Sequence, residues 1–68
     1  GRQRAVVRQR HGTRAEVART LFEQAVAGDK SRWGTLWRHQ KDCKKSWNIL
    51  GFTDREIERI KVNKPDHI

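Results

Sequence analysis

The stretch RWGTLWRHQKDCKKSW, residues 32–47, holds all three tryptophans of the chain and its one cysteine. Two kinds of chemistry could sit there. Aromatic rings flanked by Lys and Arg suit a polyanion whose bases stack. His39 and Cys43, one helical turn apart, have the spacing of two ligands to a shared metal. Two ligands do not make a structural zinc site, and His11 and His67 fall in presumed terminal segments, so no metal is expected. Cys43 reads instead as a small buried apolar residue. The opening GRQRAVVRQRHGTR is the third feature. Its arginines match phosphate geometry bidentately and fit a narrow minor groove, and Arg-rich segments fold on RNA. The carboxylates are less suggestive. Glu16 and Glu56 belong to capping motifs, and Glu23, Asp42, Asp54 and Glu58 read as solvated helix positions. With no acid–base couple, Ser/His/Asp set or Gly-rich phosphate loop in view, neither an enzyme nor a cofactor is expected.

Charge points the same way. The net charge of the 68 residues is +8, and the sequence pI is about 10.9. A basic domain with clustered Lys and Arg carries the electrostatic footprint of a nucleic-acid binder. Arg2, Arg4, Arg8, Arg10 and Arg14 give residues 1–14 a charge of +5 with no acid. Lys30, Arg32, Arg38, Lys41, Lys44 and Lys45 outweigh Asp29 and Asp42 in residues 29–51, leaving +4. Residues 52–68 carry four bases and four acids. The excess therefore falls in the N-terminal arm and the Trp-rich stretch. A lone cysteine excludes an internal disulfide and suits a reducing compartment, so an intracellular setting, cytoplasm or nucleus, is expected. No apolar run approaches the roughly 20 residues of a membrane span, and the Arg-rich start lacks a signal peptide's apolar region. Gly1 reads as a processing boundary, and the chain as an excised domain.

The elements that must position these residues read as helices. TRAE at 13–16 is a capping box with Thr13 as N-cap and Glu16 reaching back. Val17, Ala18, Leu21, Phe22, Ala25 and Val26 then share one helical face, and Gly28 closes it as a left-handed residue. Helix 14–27 follows. Asp29 or Ser31 caps the next one, over 32–47. At about 100° per residue, Trp33, Leu36, Trp37, Gln40, Cys43 and Trp47 fall in one stripe about 120° wide. Arg38, Lys41 and Lys45 form a basic stripe beside it. Lys44 intrudes on the apolar side, so either its stem snorkels or the helix unwinds there. Gly51 is the next stop. FTDRE at 52–56 repeats the capping logic, with Thr53 as N-cap, Glu56 reaching back and Phe52 and Ile57 as a staple. The third helix covers 54–62, and Pro65 ends it.

ARTLFEQAVAGDKSRWGTLW, residues 18–37, resembles a half-a-TPR repeat through Ala18, Arg19, Leu21, Phe22, Glu23, Ala25, Leu36 and Trp37. The resemblance implies a solenoid fragment of an RNA-processing scaffold. The Tyr and Glu that usually follow the Leu-Trp pair are replaced by the segment from His39 to Lys44. FTDREIERIK, residues 52–61, resembles the opening helix of regulator-type helix-turn-helix domains, and the chain ends before a recognition helix follows. No site residue is carried over from either.

The expected fold is all-α. A basic, flexible arm spans 1–12, a compact three-helix domain 13–63 and a tail 64–68. Trp33, Trp37, Leu21, Phe22 and Ile57 are the expected core. The expected function is non-enzymatic nucleic-acid binding, DNA slightly ahead of RNA by analogy with trihelical domains that pair a groove-bound helix with an arm. Arg2, Arg4, Arg8, Arg10 and Arg14 are the arm contacts. Arg38, Lys41, Lys44 and Lys45 are the helix contacts, with Lys30 and Arg32 at the helix entrance. The alternative is a helical protein-interaction module, an accessory piece of a larger assembly, whose basic face meets an acidic partner. Neither reading needs a membrane, and neither fixes an oligomeric state.

Overall fold

The computed structural model describes residues 13–68. It is all-α, with α1 over Thr13–Val26, α2 over Ser31–Cys43 and α3 over Asp54–Val62. Among the described residues there is no strand. Thr13 is already helical, and its expected capping hydroxyl lies outside the described side chains.

α1 ends in a Schellman motif. The Asp29 amide donates to the Gln24 carbonyl (3.1 Å) and the Gly28 amide to Ala25 (3.2 Å), with Gly28 at φ 131°. Only glycine enters that region without a Cβ clash. Asp29 then starts α2: its Oδ1 accepts from the Ser31 amide (3.2 Å) and the Ser31 hydroxyl (2.6 Å). That supplies a partner for one of the orphan amides of the first turn. The connection is short, so α1 and α2 pack antiparallel. Phe22 meets Trp33 edge-on at 5.8 Å near the turn, while the far ends meet where His39 bonds the Arg14 carbonyl.

α2 ends earlier than the stripe predicted, at Cys43 rather than 47. Lys44 takes a left-handed conformation, φ 56° and ψ 38°, and its amide closes on the Gln40 and Lys41 carbonyls. The physical reason is the intrusion already visible in the pattern. A continued helix would have sent an ammonium into the apolar face, at a large desolvation cost. The left-handed turn leaves Lys44 exposed instead. Gln40 bonds back to the Lys45 carbonyl and steadies the exit. Trp47 therefore reaches the core from a separate turn, in which Ser46 Oγ accepts from the Ile49 amide. That turn closes as α1 does: the Phe52 amide donates to Trp47, the Gly51 amide to Asn48, and Gly51 has φ 94°.

α3 starts as expected. Thr53 Oγ1 accepts from the Glu56 amide and Glu56 Oε1 accepts from the Thr53 amide. The core is Ala18, Phe22, Ala25, Trp33, Leu36, Trp47, Leu50, Phe52 and Ile60, with Leu21, Trp37 and Ile57 packed against it. Val17 and Val26, expected on the buried face, are 40% and 42% exposed. They flank an α1 face centred on Ala18, Phe22 and Ala25. Trp33, Phe22, Phe52, Trp47 and Trp37 touch in that order, with centroids 5.0–5.8 Å apart. This series includes every aromatic residue of the chain.

Candidate nucleic-acid interface

The outward face of α2 is built by subtraction. Trp33, Leu36 and Cys43 point inward and are buried. A rotation of about 100° per residue then leaves Arg38 and Lys41 facing solvent, and both are exposed. Lys44 and Lys45 follow at the C-terminal end, where cations also suit the helix dipole. Asp42 is the acid on this stretch.

The edges of the face are set by the neighbouring segments. On one side His39 Nε2 donates to the Arg14 carbonyl (2.8 Å), which fixes the start of α1 beside the C-terminal half of α2. Arg14 itself is exposed. On the other side Trp37 Nε1 donates to the Ile60 carbonyl (3.3 Å), which ties α2 to α3. Lys64 Nζ lies over the Trp37 ring, 5.2 Å from its centroid. At about 100° per residue, Trp37, Lys41 and Arg38 follow one another around α2, a band with Lys64 over Trp37 at one edge, the start of α1 at the other, and Lys44 and Lys45 past the helix end. Among the described residues none of these bases is in an ion pair.

Other expected contacts lie elsewhere. Lys30 is exposed at the opposite end of α2, about 12 Å from Arg38 along the axis at 1.5 Å per residue. Arg32 sits about 120° around the helix from Arg38. Its Nε is 3.3 Å from Asp29 Oδ2, an approach by charge without hydrogen-bond alignment. The Ser31 hydroxyl, first, and Arg32 hold the Asp29 carboxyl below its ordinary value. The structure thus does not join Lys30 or Arg32 to the band. Arg2, Arg4, Arg8 and Arg10 lie outside the described residues.

Lys64 is the base beside Trp37 that sequence reasoning did not place there. Its segment had read as a tail, yet it lies along α2. A Cβ added to Gly34 would meet Pro65 Cγ at 3.6 Å and His67 Nε2 at 3.8 Å. A glycine inside a helix was the available sign that another segment passes close by.

Cys43 Sγ is 3.5 Å from His39 Nε2. No group of three or more metal-ligating side chains occurs among the described residues. The thiol packs at the core edge, and the imidazole is engaged by Arg14.

Arg19 is the other strongly engaged base. Its guanidinium forks onto Glu56 at 2.6 and 3.1 Å, donates to the Gly51 carbonyl at 3.0 Å, and lies 4.7 Å from the Phe52 ring centroid. The Arg19 hydrogen bonds, then the Thr53 amide, hold the Glu56 carboxyl down at about 2. This is a clasp between α1 and the α3 cap, and it removes Arg19 from the bases open to a ligand.

No described helix is long and apolar enough to cross a membrane. Comparison with known proteins finds no matching family, no similar curated protein and no similar solved structure.

Proposed function

We propose that the chain is a non-enzymatic nucleic-acid-binding domain that grips phosphates. The observation that carries this reading is the band itself. Arg38, Lys41, Lys44 and Lys45 are exposed on α2 and just past its end, the exposed Arg14 starts α1 beside His39, Lys64 lies over Trp37, and no described carboxylate pairs with them. Clustered unpaired cations release condensed counterions from a polyanion on binding, which drives sequence-independent association. The Arg-rich segment before Thr13 is attached at the edge of this same face, so Arg2, Arg4, Arg8 and Arg10 extend it in the proposal. The preference for DNA over RNA rests on fold analogy alone.

A second reading keeps one specific support. Val17, Leu21, Thr35, Arg38, His39 and Asp42 line a groove between α1 and α2. An acidic helical protein partner would find apolar and basic contacts there.

The two readings separate in a chemical-shift titration with a short DNA duplex and a single strand at two salt concentrations. Nucleic-acid binding predicts shifts in residues 37–45 and 1–14 that weaken steeply with salt. Silence of both segments contradicts it.

A further inference from the structure

The three tryptophans, all expected in the core, are not equivalent. Trp33 is 6% and Trp47 7% exposed, whereas Trp37 is only partly buried. We propose that Trp37 is a stacking platform for an unpaired nucleobase, with Lys41 and Lys64 taking the adjoining phosphates. The inference rests on the nucleic-acid reading above and specifies its substrate as single-stranded.

The ring is held in place before any ligand arrives. Its Nε1 is bonded to the Ile60 carbonyl, and Trp47 stands against it at 84° with centroids 5.0 Å apart. Little ordering is therefore left to be done on binding, which favours affinity. The group over the ring is an ammonium on a flexible stem, Lys64 Nζ at 5.2 Å. Such a contact is readily exchanged: a base covers the ring by π-stacking, and the displaced ammonium meets a phosphate in a stronger charge-assisted bond. Lys41 lies one turn along the same side of α2. An aromatic platform beside cations is the arrangement that single strands require, and it tolerates any base. A paired base in a duplex keeps its faces in the stack and does not reach the ring.

The test follows the indole N–H resonances and fluorescence of the wild-type protein. Three probes are added at one low salt concentration: a thymidine octamer, a blunt duplex of matching length, and heparin, a polyanion without bases. The Trp37 resonance, assigned with Trp37→Phe, is expected to move most with the octamer, and fluorescence to be quenched by the octamer alone. Trp37→Leu is expected to weaken octamer binding about tenfold, by more than it weakens duplex binding. If all three probes bind while the Trp37 resonance stays still, the platform is wrong and the phosphate reading stands. If no probe binds, both fall. Because the wild-type resonance is read directly, a poorly folded variant does not blur the outcome.

Discussion

Lys44 is a lysine where the backbone favours glycine. At φ 56° its Cβ crowds the following carbonyl, a cost of roughly 1 kcal/mol. The residue nonetheless supplies a cation at the end of the band. Lys44→Gly therefore separates stability from binding. Its urea midpoint should rise, corresponding to a gain of about 0.5–1 kcal/mol, while its affinity for nucleic acid falls. A variant that loses stability would contradict the left-handed assignment. Gly34 presents the opposite case. Its backbone is ordinary helix, and an added Cβ would make normal contacts with Pro65 and His67, none closer than 3.6 Å. Gly34→Ala should stabilise by about 0.5–1 kcal/mol, the usual helix-interior cost of glycine. Destabilisation in thermal melts would mean that residues 65–67 approach α2 more closely than described.

At the scale of elements, the Arg19–Glu56 clasp joins α1 to the α3 cap. Both side chains are partly exposed, 35% and 26%, so solvent screens the pair. Glu56→Gln should then cost about 1 kcal/mol at neutral pH rather than several. The pH dependence has a definite sign. Folding lowers the Glu56 pKa from 4.5 to about 2, so the clasp's contribution is present above pH 4.5 and fades as pH falls toward 2. Urea unfolding of wild type and Glu56→Gln should show a gap at pH 7 that closes near pH 2. A gap that does not change with pH would remove the charge from the explanation. The same elements show what the sequence made legible. The bounds of α3 fall where expected because Thr53, Glu56 and Gly51 all act within a few residues of the helix start. The end of α2 does not, because the left-handed residue there is not a glycine. Its one trace was the conflict between Lys44 and the apolar stripe. Trp47 keeps its expected burial but reaches the core from a different element. The Arg19–Glu56 bond spans 37 residues, and the Lys64–Trp37 contact likewise joins distant parts of the chain. Helical periodicity carries no information about either.

For the whole molecule, charge asymmetry is the main observation behind the proposed function. Arg2, Arg4, Arg8 and Arg10 account for half of the net +8. The rest of the excess falls in the stretch around α2, residues 29–51. Folding redistributes it. Arg19 and Arg32 are drawn into ion pairs, Lys30 is left at the far end of α2, and Lys64 is brought to the band. The measurement that most directly tests nucleic-acid binding is the salt dependence of affinity for a short oligonucleotide. Wild type should give a steep linear fall of log K with log salt, and Arg38→Ala and Lys41→Ala should each flatten the slope by about one. A salt-independent affinity, or slopes unchanged by either substitution, would contradict a phosphate-gripping face on α2.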